Sequence, residues 1–335
     1  MWDLLLNYGL FLLKVLTVLG AVVVVILLLV KDKMQKKDPV SFECVNDAFA
    51  DTKQTILQTF AQGGALYAKN ALAQDKKAQS LYQKQEKKRK EVCSRLFVLS
   101  FKGNLYAEAV KALREEITAV LLVATPNDSV MVKIDSPGGS VIDYGLAAAQ
   151  LVRIRDAGLH VSVCVDRVAA SGGYMMACVA HKIYAAPFAY VGSIGVVMSS
   201  LNFHNLLKKH DVDVIELTAG ENKRPLSSVG EVTNEGKQHV KGQLQAIHDQ
   251  FKSMVATYRP ELDIEAVTKG DVWTASNALQ IGLVDALITS DSFIANAVKE
   301  KKVFSVTTLT KPDLMSMLMG KAASCFERLR YGFGQ

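Results

Sequence analysis

The chain has 335 residues, half of them hydrophobic, and a formal net charge of +6. That length holds one large domain or two modest ones, and the five cysteines (Cys44, Cys93, Cys164, Cys178 and Cys325) lack the C-x-x-C spacing of zinc sites and redox motifs. The basic runs at 31–37 and 84–90 carry no interleaved aromatic residues, which speaks for a solvated or membrane-facing surface and against a nucleic-acid partner.

In chain order, the stretch 4–30 is apolar apart from Asn7, Lys14 and Thr17. A helix of roughly 20 apolar residues spans a bilayer. Asp3 precedes the apolar core, and no A-x-A cleavage pattern follows it, so the segment is expected to be an uncleaved anchor rather than a signal peptide. Lys31, Lys33, Lys36 and Lys37 follow it; by the positive-inside rule alone they place the remainder of the chain in the cytoplasm. Residues 31–92 read as a polar helical spacer, rich in Ala, Gln and Lys and broken at Gly63-Gly64.

The character changes near Arg95. Strands are expected at 96–101, 130–134, 161–165, 182–186 and 212–217, with helices at 108–123 and 147–155. Val240, Leu244, Ile247, Phe251, Val255 and Tyr258 recur at helical spacing before Pro260, marking one long amphipathic helix. Strands alternating with helices predict an α/β domain with mainly parallel pairing, spanning 93–305. A tail at 306–335 holds a Met- and Leu-rich stretch, 314–319, that reads as a short amphipathic helix.

Three glycine-bearing motifs could carry chemistry: Asp135-Ser-Pro-Gly-Gly-Ser140, Ala169-Ala-Ser-Gly-Gly-Tyr174 and Val191-Gly-Ser-Ile-Gly-Val196. Gly138 and Gly139, between a strand and a helix, can turn backbone N–H groups toward a cavity and so stabilise an oxyanion; a plain strand-to-helix turn explains the same residues. Ser171, with small neighbours at the start of a helix, is open to attack chemistry, but serine is also a common helix cap. A serine nucleophile needs a base. None of the six histidines sits in a triad-like motif, and there is no H-E-x-x-H helix. Lysine is the other base available, where burial or a neighbouring cation lowers its pKa. Lys223, just beyond the expected strand at 212–217, is the candidate, set against the plain reading of a solvated side chain.

The three glycine motifs, the Gly-x-x-Lys at 220–223 and Val272-Trp-Thr-Ala-Ser-Asn-Ala-Leu-Gln-Ile-Gly-Leu-Val-Asp285 resemble the signal peptide peptidase A family of serine proteases, most closely its SohB branch. The resemblance covers essentially the whole chain. It implies a ClpP/crotonase-like fold of stacked β-β-α units, preceded by a transmembrane helix and a helical spacer. It implies Ser171 as nucleophile, Lys223 as general base and Ser193 as the residue that orients the lysine. Gly139 and the N–H of Gly172 match the oxyanion hole, and Gly138 belongs to the same turn. No metal or cofactor is implied. The partners implied are a peptide or protein substrate (remnant signal peptides or membrane-associated peptides), membrane lipid around the anchor, and copies of the chain itself in a ring-like homo-oligomer whose neighbouring subunits supply the serine and the lysine. Family resemblance puts the catalytic domain of this single-pass inner-membrane protein on the periplasmic side, against the charge rule. Two other readings compete: a non-catalytic membrane scaffold of the same fold, and a crotonase-type acyl-CoA enzyme, which would need neither Ser171 nor Lys223.

Overall fold

The computed structural model describes residues 9–19, 40–62, 70–74, 77, 94–220 and 222–308. Val40–Thr307 form one compact unit. Of the expected anchor, residues 9–19 are described and helical; no described helix is long and apolar enough to cross a membrane. The remainder of 4–30, the basic runs, most of the expected helical spacer beyond Gly64 and the stretch 314–319 lie outside the described residues.

The frame is a seven-stranded sheet. Its strands are β1 (Val40–Cys44), β2 (Arg95–Lys102), β3 (Ser129–Asp135), β4 (His160–Val165), β6 (Lys182–Ala185), β9 (Ala286–Leu287) and β10 (Lys302–Thr308), in the order β1-β10-β2-β3-β4-β6-β9. From β10 to β9 every pairing is parallel. Val130, Met131, Val132 and Ile134 are all buried, the near-continuous apolar run expected of a strand covered on both faces. Side chains alternate across β2. Phe97, Leu99 and Phe101 enter the main core with helices Val110–Val123 and Val141–Asp156. Leu96 and Val98 pack on the other face with Met131, Cys164 and Val303, against Phe293, Ile294 and Ala297 of helix Ser290–Glu300. The two-residue period of a strand requires this split.

A second sheet holds β5 (Val168–Ala170), β7 (Tyr190–Gly192) and β8 (Val272–Thr274), with β5 parallel and β8 antiparallel to β7. The chain passes between sheets in steps: β4 lies in the large sheet, β5 in the small one, and helix Gly172–Ala177 follows; β6 then returns to the large sheet and β7 to the small.

Two expectations change. The spacer read at 31–92 is not uniformly helical, because Val40–Cys44 is the edge strand of the large sheet. Asn46 fixes the turn into helix Val45–Gln62: its side-chain amide donates to the carbonyls of Val298 and Lys301 and accepts from the N–H of Val303. The apolar run at 212–217 is not a strand. It has no pairing partner among the described residues, and Ile215 and Leu217 are 82% and 92% exposed; an apolar run without a neighbouring strand has no ladder to join.

Arg95 and Asp128 tie the starts of β2 and β3 together. The buried Asp128 carboxylate accepts from the Arg95 N–H at 2.7 Å, the Arg95 guanidinium at 2.7 Å, and the Thr125 N–H and hydroxyl at 2.7 and 2.9 Å. Burial alone would raise its pKa, but these donors outweigh burial and hold it at about 2. A carboxyl whose folded pKa is depressed contributes stability that is complete above its unfolded pKa and is lost as pH falls toward the folded value. Asp128→Ala should therefore cost about 3 kcal/mol near neutral pH, because it strands a partly buried arginine. Urea melts of the two proteins should converge as pH drops from 3.8 toward about 2.

Candidate active site

The small sheet sets the geometry. Parallel register puts Ala170 beside Gly192, so the next residues, Ser171 and Ser193, leave the sheet side by side. Both take φ of 51°, a region that non-glycine residues seldom occupy and that tends to be held at functional sites by surrounding structure. Two hydrogen bonds hold these turns. The Ser171 N–H donates to Gly192 O at 2.8 Å, and the Ser193 N–H donates to Asp271 O at 2.6 Å. The Ser171 carbonyl accepts from Met175 N–H at 2.9 Å, opening helix Gly172–Ala177. Its hydroxyl caps no helical N–H, so the half-buried Oγ is left uncommitted at a helix N-terminus.

The turn after β3 presses on this serine. Ser136 pairs with β5, donating its N–H to Val168 O and accepting from Ala170 N–H. Gly138, with φ of 93°, comes so close that a Cβ there would sit 2.7 Å from both Ser171 Cβ and Gly172 N. Its own N–H donates to Ser136 Oγ at 3.1 Å, so Gly138 provides closeness rather than a free donor. The N–H groups of Gly139 and Gly172 have no acceptor among the described residues; that of Gly172, the first residue of its helix, can have none within the helix. An uncommitted hydroxyl beside two unengaged N–H groups is the arrangement that acyl transfer uses, the donors facing the charge that develops on a carbonyl oxygen.

The late motif at 272–285 braces this site. Trp273 in β8 stands opposite Val191, and its ring fills the space over Gly192, where a Cβ would come within 2.6 Å of it. Leu283 O accepts from the buried Tyr174 hydroxyl at 2.9 Å, and Asp285 accepts from Arg259 at 2.7 Å and Ile183 N–H at 2.8 Å.

Ser171, Ser193, Gly138, Gly139 and Gly172 are thus brought together. Lys223 is not. It lies outside both sheets, beyond 212–217, with an exposed side chain that makes no hydrogen bond or ion pair among the described residues. Its neighbour Arg224 pairs with Glu216 at 2.7 Å, and hydrogen bonds from Ser227 and Arg224 hold the Glu216 carboxyl below its usual range. Much of the surrounding segment is apolar and exposed, including Val197, Leu201, Ile215 and Leu217.

The profile of Peptidase family S49 matches residues 153–304, and that of its N-terminal region matches residues 3–151. The chain belongs to peptidase family S49. This S49 peptidase is 41% identical over 324 residues to "Probable protease SohB" of Haemophilus influenzae, covering 93% of this chain and 91% of the relative. It is 38% identical to the protein of the same name from Buchnera aphidicola subsp. Acyrthosiphon pisum, covering 93% and 92%. A solved membrane-bound stomatin-specific protease in complex with a substrate peptide aligns at a TM-score of 0.44 and 14% identity, over 70% of this chain and all of that one.

Sequence reading passed over Tyr144 and Ser136. Tyr144 precedes the helix expected at 147–155, and Ser136 lies inside the first glycine motif as an ordinary turn residue. A substitution tests the closeness of the glycine turn. Gly138→Ala should lower kcat/KM by about a hundredfold, because displacing the turn misplaces the reacting groups, and should lower Tm through a strained φ. Gly158 also has a positive φ, 78°, but open space around it, so Gly158→Ala should lower Tm and leave activity intact.

Proposed function

We propose that this S49 peptidase is a membrane-anchored serine endopeptidase working through a Ser–Lys dyad. The observation that carries the reading is Ser171, bent into a left-handed conformation with its hydroxyl uncommitted, beside the unengaged N–H groups of Gly139 and Gly172. In this mechanism neutral Lys223 takes the Ser171 proton as Oγ attacks the peptide carbonyl, and the Gly139 and Gly172 N–H groups receive the oxyanion. Collapse of the tetrahedral intermediate passes the proton to the leaving amine, and water then hydrolyses the acyl-serine by the reverse route. Ser193, next to Ser171 by strand register, orients the lysine. The stepping of successive strands between two sheets supports a ClpP/crotonase-like arrangement.

The reading extends to assembly. Lys223 is exposed and has no side-chain partner among the described residues, in a segment with a large apolar surface; a neighbouring copy in a ring-like homo-oligomer would cover that surface and bring its lysine to this serine. The apolar stretch at 4–30 anchors the assembly in the inner membrane with the catalytic domain on the periplasmic side, and the substrates are remnant signal peptides or other membrane-associated peptides.

The test uses the full-length protein and a fluorogenic peptide amide. Ser171→Ala and Lys223→Ala should each be folded and inactive, while differentially tagged mixed oligomers of the two should regain activity. Full activity in Ser171→Ala would overturn the nucleophile. Mixed oligomers no more active than their parents would overturn the shared site.

A further inference from the structure

Behind the glycine turn, hydroxyl groups form a short relay. The Tyr144 phenol donates to Asn104 O at 2.8 Å and stands in hydrogen-bond contact with Ser136 Oγ. A phenol has a single proton, and Asn104 O takes it, so the Ser136 hydroxyl donates to Tyr144 Oη. Ser136 Oγ in turn accepts from Gly138 N–H at 3.1 Å. One chain of hydrogen bonds thus runs from the loop at 103–107 to the turn that presents Gly139.

The same side chain supports the other donor. Tyr144 is fully buried, and its ring lies so close to Gly172 that a Cβ on Gly172 would collide with the ring and come within 2.8 Å of Tyr144 Cβ. Gly103 likewise has no room for a Cβ beside Tyr144 Oη and Ser136 Oγ. Tyr144 is itself placed by the turn it supports: its N–H donates to the carbonyl of Ser140, the residue that follows Gly139, at 3.0 Å. Its ring meets Phe101 of β2 edge to face, with centroids 6.1 Å apart. Burial raises the phenol's pKa, which keeps it protonated and able to donate to Asn104.

We propose that Tyr144 is a positioning residue that sets both oxyanion donors at once, Gly172 through its ring and Gly139 through its hydroxyl and Ser136. The inference rests on the serine-peptidase reading above. Ordinary core packing would require only the ring. The arrangement found adds a buried hydroxyl pair aimed at the Gly138 N–H, inside the turn that the Ser140 N–H ties to Leu105 O at 2.8 Å, and preorganised donors of this kind stabilise the transition state more than the bound substrate.

The test is Tyr144→Phe in the full-length protein, which keeps the ring on Gly172 and removes the relay. With a fluorogenic peptide amide, kcat should fall roughly ten- to hundredfold while KM stays nearly constant, the pattern of a displaced transition-state contact. Affinity for the matching peptide boronate, whose tetrahedral adduct with Ser171 places an oxygen between the donors, should fall by the same factor. Ser136→Ala, which breaks the relay without touching the ring, should reproduce the effect, and the double variant should lose no more than either single one. Ser136→Ala also carries the test if Tyr144→Phe does not fold. Unchanged kcat and boronate affinity would overturn the proposal, as would a loss fully explained by a smaller fraction of Ser171 titratable with a phosphonate. Ser171→Ala separates the two levels: if it is active the peptidase reading fails, whereas an inactive Ser171→Ala beside a fully active Tyr144→Phe removes Tyr144 alone.

Discussion

The site depends on one backbone constraint: a non-glycine residue, Ser171, is held at positive φ where two strands end together. That conformation costs on the order of 1–3 kcal/mol, and the surrounding residues are chosen to sustain it. The N–H of Ser171 is held by Gly192, and its carbonyl is committed to the first turn of the following helix. Gly138 and Gly172 lack side chains because there is no space for them. Ser193 repeats the same left-handed turn one strand away. With this bend the hydroxyl does not take the capping role a serine would otherwise fill there, as the proposed nucleophile requires.

The fold treats Ser171 and Lys223 very differently. The serine leaves the end of β5 in the small sheet, and a tryptophan and a tyrosine pack against the neighbouring Gly192 and Gly172. The lysine rides on an excursion that buries little of its own apolar surface. A folded chain normally hides such surface against itself, and contiguous exposed patches mark places of contact. Under the shared-site proposal, precision is invested where the transition state forms, and the proton acceptor arrives with the contact that covers the excursion.

Strands β2, β3, β4 and β6 and the glycine turns were legible in the sequence because an apolar run and a turn are local features, whereas β9, β10 and the short strands of the second sheet were not. A run such as Val130–Met131–Val132 declares a buried strand, and Gly138 and Gly139 declare a turn that no other residues could make. The edge strand β1 was not legible. Val40–Cys44 is short and sits in polar surroundings, and it becomes a strand only by pairing with β10, far away in the sequence. The run at 212–217 misled for the opposite reason: its composition suits a strand, but pairing is a property of neighbours. Tyr144 was silent because its value lies in what its hydroxyl and ring face meet, while its spacing is that of any core residue. Lys223 was legible only as one lysine among many, because its partner in the proposed site lies outside its own chain.

The strand order β1-β10-β2 also bears on the order of synthesis. The earliest described strand of the sheet pairs only with the latest, so β1 has no ladder to join while the intervening residues are being made. Asn46 waits likewise, since its three partners, Val298, Lys301 and Val303, belong to the same late stretch. Such long-range closure is slow relative to local contacts. A ribosome translating this chain carries an open sheet edge at β2 until β10 emerges, and one insertion then covers that edge, docks β1 and secures the helix behind it. The final strand acts as a latch on the first, so a chain cut short before Lys302 would lose β1 and β10 from the same edge of its sheet together.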